Sequence, residues 1–243
     1  MRRHLLPALC VLAAPLGAQV DTRIDTVRAG DPRLATLGLA PKADTVDNWF
    51  VNAAGERRLG VVYVETVTAT PGGFLVVEHN RRPDGRTLTL DSIEVDARTL
   101  ATRWHADVTP RGGRHVTFAG GRVTGTATDS AGRATPVDAA APAAIDYSVQ
   151  GLVIPRLPLR EGYRAVVETY DVTRGPQAVA VRVVGADTAA GRPAWQVELD
   201  YGGFRATQWI DRERRRTLRT RVTRPGMELV AEPRPVAAGG PGA

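Results

Sequence analysis

The fold is decided by a stretch in the middle of the chain, Asp146-Tyr-Ser-Val-Gln-Gly-Leu-Val-Ile-Pro-Arg-Leu-Pro-Leu-Arg-Glu-Gly-Tyr163, because it separates two long series of predicted strands. Its apolar residues recur at helical spacing, so they predict a short helix that ends before Pro155. The segment near residues 143–159 is therefore predicted to be a helical or irregular crossover. Two interpretations stay open, since such a segment either plugs the core of a sheet or forms a lid over a ligand cavity. The residues with helical spacing are Ile145, Val149, Leu152 and Val153.

The sequences on both sides of the crossover are typical of antiparallel strands joined by tight turns. Before it, Thr70-Pro-Gly-Gly73 and Arg82-Pro-Asp-Gly85 separate runs that are rich in valine, threonine and tyrosine. After it, Trp195 to Tyr201 alternates apolar and polar residues, as a strand with one buried face does. The chain is therefore predicted to be mainly β, with a strongly curved antiparallel sheet or open half-barrel as a single domain over residues 46–232.

The predicted strand from Thr87 to Val95 departs from simple alternation. Its apolar residues up to Leu90 lie at alternate positions on one face of the strand, and those from Ile93 onward lie at alternate positions on the other face. A β-bulge at Asp91-Ser92 is the simplest explanation, because one extra residue exchanges the two faces of a strand.

The first 18 residues have the pattern of a secretory signal peptide. Two arginines precede an apolar run from Leu5 to Leu16, and Gly17-Ala18 forms a small-residue cleavage site. We therefore expect an exported protein, periplasmic or outer-membrane-associated, that is soluble after signal cleavage. Cys10 is the only cysteine and is removed with the signal, so the mature chain is expected to be disulfide-free.

The two ends of the mature chain are polar or of low complexity. Residues 19–45 contain several turn-forming residues and few apolar ones, so they predict an extended N-terminal arm. Residues 233–243 are rich in proline, glycine and alanine and predict a disordered tail.

Residue patterns that are typical of covalent catalysis are not found in the sequence. Ser92 and Ser148 lie in neither Gly-x-Ser-x-Gly nor Ser-x-x-Lys, and the paired glycines lie between strands, where they do not form a phosphate loop. We therefore predict no enzyme activity and no cofactor. An unrecognised hydrolase remains a remote alternative.

Two histidines have a carboxylate close by in sequence. His79 follows Glu78, and His105 precedes Asp107 by two residues, so each pair offers two donors to a metal ion. Neither spacing is specific, and adjacent residues on a strand point to opposite faces. The sequence therefore predicts no metal site.

The strongest charge feature is a run of arginines after the last tryptophan. Arg215, Arg219 and Arg221 are predicted to share one face of a strand. They form either a solvated face that protects a sheet edge or a contact with an anionic membrane surface or an envelope protein. No aromatic residue is interleaved among them, so nucleic acid is not an expected partner.

Four short motifs carry a resemblance to a known group of proteins. They are the Val95-Asp96-x-x-Thr99-Leu100 turn, Leu157-Pro-Leu-x-x-Gly162, Trp195-x-Val197 and Trp209-x-Asp211. Over residues 46–232 the chain resembles uncharacterised bacterial envelope proteins built on an open half-barrel sheet, which are similar in architecture to the lipoprotein carriers LolA and LolB. The resemblance implies a curved antiparallel sheet with a helical or irregular plug on its concave face, and it implies no catalytic residues.

These observations lead to two hypotheses about function. The first is a non-catalytic binding module of the cell envelope that holds an apolar or amphipathic ligand, a lipid or acyl chain, in the curve of the sheet. The second is a structural or protein-interaction scaffold whose core is filled. Close packing of side chains in the curve of the sheet would distinguish this scaffold from a carrier. The residues expected to line a ligand are Leu152, Val153, Leu157, Trp195, Val197, Leu199 and Tyr201.

Overall fold

A computed structural model of the protein describes residues 24–34, 39–142 and 144–235. The predicted signal peptide lies outside these residues. The mainly β fold is confirmed, because 65% of the structure is strand and 3% is helix. Among the described residues, no helix is long and apolar enough to cross a membrane. The strands are β1 (Asp25–Val27), β2 (Lys42–Asn52), β3 (Arg57–Thr70), β4 (Gly73–Arg81), β5 (Thr87–Asp96), β6 (Thr102–Thr109), β7 (Gly112–Ala119), β8 (Arg122–Asp129), β9 (Ala134–Ala140), β10 (Ile145–Asp146), β11 (Arg164–Asp171), β12 (Gly175–Ala189), β13 (Arg192–Asp200), β14 (Arg205–Asp211), β15 (Thr217–Arg224) and β16 (Met227–Pro233).

All of these strands belong to one large sheet that is not closed into a barrel. Strands β2 to β9 form one antiparallel meander, and β11 to β16 form a second. The two meanders are joined because β16 pairs antiparallel with β2. The short strands β1 and β10 pair parallel with β11, which makes the sheet mixed at that end. This shared sheet supports the single-domain interpretation, which stays a prediction.

The crossover includes β10 near its start and lies against one face of the curved sheet, which we call the inner face. Helix α1 (Gln150–Val153) ends before Pro155, as predicted, and continues as a 3-10 turn over Ile154–Arg156. Leu157 is extended, with φ −63° and ψ 155°. The backbone N–H of Thr102 donates to the carbonyl of Ala144 at 3.0 Å, so the start of the crossover is tied to β6.

The apolar residues of the crossover form the centre of the largest core cluster. Ile154 and Leu157 have no exposed surface, and they pack with Val197, Leu199 and other inward-facing strand residues. The space between the crossover and the sheet at this place is therefore filled by side chains. Of the two interpretations of the crossover, the packing favours the plug.

The predicted β-bulge at Asp91-Ser92 is wrong. The register of β5 runs without interruption through these residues on both neighbouring strands, and its irregularities lie instead beside Arg81 and between Glu94 and Val95. Asp91 and Ile93 share the inner face, because they are two residues apart on the strand. The change of phase in the sequence therefore marks the point where the inner face changes from polar to apolar.

Two turns with similar sequences have the same backbone geometry. The carboxylate of Asp96 accepts hydrogen bonds from the backbone N–H groups of Arg98 and Thr99, and Leu100 closes the turn at φ 55°. Asp211 does the same for Glu213 and Arg214, and Arg215 closes the turn at φ 51°. A short carboxylate that binds the backbone of its own turn explains why aspartate recurs at these places.

Parts of both chain ends belong to the sheet. Within the predicted N-terminal arm, β1 pairs with β11, Leu34 is buried in the core, and β2 already begins at Lys42. Pro233 ends β16, and Arg234 forms an ion pair of 2.7 Å with Asp47. The remainder of the predicted tail, residues 236–243, lies outside the described residues.

The plug interpretation predicts a large cost for truncating Leu157. The Leu157→Ala variant should lower the free energy of unfolding by about 2 to 5 kcal/mol, because it loses buried apolar surface and leaves a cavity. Met227 is 40% exposed at the start of β16, and Met227→Ala should change stability by less than about 0.5 kcal/mol. Urea unfolding of both variants measures the difference, and equal small losses would show that the crossover is a loosely held lid.

Candidate functional site

A row of carboxylates crosses the inner face on five neighbouring strands. Strand pairing places Asp44 opposite Glu65, Glu65 opposite Glu78, Glu78 opposite Asp91, and Asp91 opposite Asp107. We call these five residues the carboxylate row. Glu65, Glu78 and Asp107 are buried, although like charges directly opposite each other destabilise a sheet. Each member therefore needs a compensating partner or a proton.

At one end of the row, cationic and hydroxyl groups supply the compensation. Lys42 forms ion pairs with Asp44, at 2.9 Å, and with Glu65. The hydroxyl of Tyr63 donates to Glu65 at 3.0 Å. Burial raises the pKa of Tyr63 well above its usual value, and the neighbouring glutamates raise it further, so Tyr63 remains a neutral donor.

In the middle of the row, the surroundings of Glu78 favour its protonated form. Burial raises the pKa of this carboxyl well above its ordinary range, and the negative charge of Glu65 raises it further. A hydrogen bond with Tyr63 opposes this rise without overcoming it. A proton on Glu78 would remove one of the like charges between Glu65 and Asp91.

At the other end, His105 joins the sheet to the crossover. Its Nδ1 lies 2.6 Å from Oδ2 of Asp146 in β10, and its Nε2 lies 3.3 Å from Oδ1 of Asp91. Burial would lower the pKa of His105, but the hydrogen bonds to Asp146 and Asp91 outweigh it and raise the pKa to about 10. Both ring nitrogens are thus held by carboxylates, so the imidazole does not serve as a free base for Ser148 nearby.

Asp146 is itself fixed by two backbone contacts. Its N–H donates to the hydroxyl oxygen of Thr102 at 2.9 Å, and its Oδ1 accepts the N–H of Ser148 at 2.8 Å. Beyond the row, Arg114 of β7 is paired with Asp107, and the ion pair measures 3.1 Å. Burial raises the pKa of Asp107, and the charges of Arg114 and His105 oppose that rise.

A basin opens beside the crossover, at the end of the row formed by Asp44 and Glu65. Its volume is about 520 Å³, which is within the range of ligand sites. One wall is apolar and includes Val46, Leu152 and Pro155. Another part of the lining, which we call the rim, is basic, because the turn between β14 and β15 contributes three arginines. These are Arg214, Arg215 and Arg216.

Arg156 of the crossover also lines this basin. Its guanidinium donates to the carbonyl of Leu152. Burial lowers its pKa, and the negative charge of Glu65 opposes this effect. The crossover is thus linked to the carboxylate row twice, through the contact of Asp146 with His105 and through the electrostatic interaction of Arg156 with Glu65.

The predicted ligand-lining residues are distributed unequally. Leu152 borders the basin, whereas Val153, Leu157, Val197 and Leu199 are buried in the filled core. The remaining two, Trp195 and Tyr201, are half-buried against that core. Trp195 has the guanidinium of Arg212 at 4.5 Å from its ring centre, and Tyr201 stacks on Phe204 at 4.4 Å.

The three candidate arginines do not share a face, so that expectation is corrected. Arg215 contacts the carbonyl of Leu157 at 3.4 Å and lines the basin. Arg219 and Arg221 lie over the ring of Trp209, on the outer face. The cause is the irregular register between Trp209 and Ile210, together with the left-handed turn at Arg215.

The carboxylate row was missed in the sequence, although a signal for it exists. Glu65 and Asp91 occupy positions that continue the inward alternation of apolar residues such as Val67 and Ile93. A charged residue in such a position is an exception to the pattern of a half-buried strand. The pairing of five strands in register was needed to show that these exceptions meet.

Comparison with protein families gives one match. The model described as a protein of unknown function, DUF3108, matches residues 51–225. This range includes the crossover and all of the carboxylate row except Asp44. A comparison with curated proteins found no match.

The raised pKa of Glu78 predicts that replacing it by glutamine, its neutral isostere, does not destabilise the protein. Glu78→Gln should keep or raise stability at pH 7, because it replaces a carboxyl group whose neutral form is favoured by burial and by the charge of Glu65. The folded pKa lies above the unfolded value of about 4.3, so the wild type loses stability as pH rises above that value. The advantage of the variant should therefore grow from pH 5 to pH 8 in urea unfolding experiments.

Glu65→Gln is the matched control for this experiment. It removes an ionised partner of Lys42 and should lower the free energy of unfolding by about 1 to 3 kcal/mol at pH 7. If Glu78→Gln were as destabilising as Glu65→Gln, Glu78 would be ionised in the folded protein.

Proposed function

Since the chain belongs to the DUF3108 family, whose description assigns no activity, we propose its function from the basin: a non-catalytic binding module of the cell envelope for an amphipathic ligand with an anionic group. The observation that supports this most directly is the mixed lining. Leu152 and Pro155 line the same cavity of about 520 Å³ as three arginines. Ligand sites commonly combine apolar walls with a few convergent polar groups.

The filled core changes the place where a ligand is expected. Val153, Leu157 and Leu199 occupy the curve of the sheet with their own side chains, so an acyl chain does not lie beneath the crossover. The basin lies beside the crossover and accepts a ligand without unpacking this core. A lipid or fatty acid is the ligand class that fits an apolar wall with an arginine rim, because guanidinium groups bind carboxylates and phosphates.

Location and absence of catalysis are parts of this proposal. Export, a periplasmic or outer-membrane-associated location and solubility after signal cleavage follow from the signal-peptide pattern of the first 18 residues. The non-catalytic role is supported by His105, whose ring nitrogens are both engaged by carboxylates. The likeness in architecture to the carriers LolA and LolB, which the sequence motifs suggested, belongs to the proposal as well.

A scaffold is the second candidate, and the filled core favours it. On the outer face Arg219 and Arg221 stack on Trp209, and Arg57 stacks on Trp49 at 4.8 Å. These guanidinium groups suit an anionic membrane surface or an acidic envelope protein. Nucleic acid is not proposed as a partner.

Obstructing the basin tests the binding module directly. A side-chain carbon at Gly151 would meet no atom within 4 Å, so Gly151→Trp fills basin space without an initial clash. The variant should weaken binding of dansyl-labelled undecanoic acid at least about tenfold, a loss of about 1.4 kcal/mol, in fluorescence titrations. Gly203→Trp is the matched control, because Gly203 also faces open space and does not line the basin. Absence of saturable binding in the wild type would favour the scaffold.

The arginines of the rim should make the affinity of the basin depend on the negative charge of the ligand. The double variant Arg214→Gln/Arg216→Gln should weaken binding of the labelled fatty acid about three- to tenfold and reduce its salt dependence, because exposed charges are screened by salt. Binding of the corresponding fatty alcohol should be unchanged. The control is Arg98→Gln/Arg111→Gln, two exposed arginines outside the basin. Equal losses for acid and alcohol would contradict a role for the rim in recognising the anionic group.

A further inference from the structure

The inner face between β5 and β6 holds a group of donor atoms that the basin does not use. Asp91, His105 and Asp107 each offer one ligand atom, and these three atoms lie within 4.8 Å of one another. They line a second cavity of about 210 Å³, together with Asp146. The cavity is separate from the basin, because none of these residues lines both.

One oxygen in this cavity lacks a partner. Asp107 is 6% exposed, and its Oδ2 forms the ion pair with Arg114. Its Oδ1 is buried and has no hydrogen-bond partner within the described part of the chain. Leaving a buried carboxylate oxygen unsatisfied is costly, and such an atom calls for a bound donor or cation.

The imidazole is oriented as metal-binding histidines are. Its Nδ1 faces Asp146 at 2.6 Å, which leaves Nε2 on the side of Asp91 and Asp107. A carboxylate that accepts the other ring N–H fixes the tautomer and the ring orientation of a histidine ligand. Asp146 is held in position for this role, because its backbone N–H donates to the hydroxyl of Thr102 and its carboxylate accepts the backbone N–H of Ser148.

The charges around the cavity also match a divalent cation. The carboxylates of Asp91, Asp107 and Asp146 line this cavity together with Arg114, whose guanidinium is paired with Asp107. Binding of a metal ion replaces the proton on Nε2 of His105, and Arg114 alone against these three carboxylates then leaves two negative charges, which a divalent cation balances. Asp171 also lines this cavity, but it is paired with Arg174 at 2.7 Å.

We propose that Asp91, His105 and Asp107 form a binding site for a divalent transition-metal ion of the Zn²⁺ class, with Asp146 as the positioning residue for His105. One nitrogen and two carboxylate oxygens are a ligand set that suits Zn²⁺ and leaves a coordination position for water. Zn²⁺ binding displaces a proton from Nε2, while Nδ1–H remains on Asp146. The donors must approach to about 3.3 Å of one another, the edge of a tetrahedron with Zn²⁺ bonds of about 2.0 Å.

Metal titration of the full chain tests the site. Protein purified with EDTA and then dialysed should bind one Zn²⁺ per chain in competition with a chromogenic chelator. Asp107→Asn and His105→Gln should each weaken binding at least about tenfold, and Asp146→Asn should weaken it about 10- to 100-fold. His79→Gln and Asp138→Asn are the controls, because these residues are exposed and outside the cavity, and they should leave binding unchanged.

A second measurement uses the wild-type protein, so its result does not depend on whether a variant folds. Long-range ¹H–¹⁵N spectra of the histidine rings of the wild type should show a shift of Nε2 of His105 on saturation with Zn²⁺. The rings of His79 and His115 should be unaffected. The proposal is overturned if the folded wild type retains no stoichiometric Zn²⁺, or if Zn²⁺ shifts the rings of the other histidines and leaves His105 unchanged.

Discussion

The contact between His105 and Asp146 is the interaction on which the rest of the structure depends. It joins β6 to the start of the crossover through groups that are almost completely buried. Removing one partner would leave the other buried and unpaired, which is far more costly than losing an exposed ion pair. Because this contact fixes where the crossover begins, it also fixes which apolar residues reach the core. Ile154 and Leu157 then fill the curve of the sheet completely.

The carboxylate row gives the curved sheet a strict register. The members differ in their compensation: Lys42 pairs with Asp44 and Glu65, a raised pKa favours the neutral form of Glu78, His105 contacts Asp91, and Arg114 pairs with Asp107. A slip of one residue in any of these strands would turn its carboxyl to the other face and leave its partner alone. We infer that the row specifies strand pairing in a chain whose strands are otherwise rich in similar valine and threonine residues.

The inner and outer faces of the sheet divide the arginines between two roles. Arg215 turns inward to the basin, while Arg219 and Arg221 cover Trp209 on the outside. The inward group faces a cavity with an apolar wall, so it is suited to a small anionic amphiphile. The outward group is spread over a strand surface and is suited to a large anionic partner. The two functional candidates therefore use different sides of one sheet and different arginines of one sequence run.

The sequence by itself determined the mainly β architecture, the position of the crossover and the end of its helix, because these depend on local alternation, turn residues and Pro155. It also pointed to Leu157 and Leu199 as residues that meet, although as the lining of a cavity and not as a filled core. Only the tertiary structure decided that Asp91 faces inward, that Arg215 separates from Arg219, and that His105 meets Asp146, 41 residues away. The physical reason is that these features depend on strand register and on contacts between distant segments, and sequence spacing carries no direct information about either.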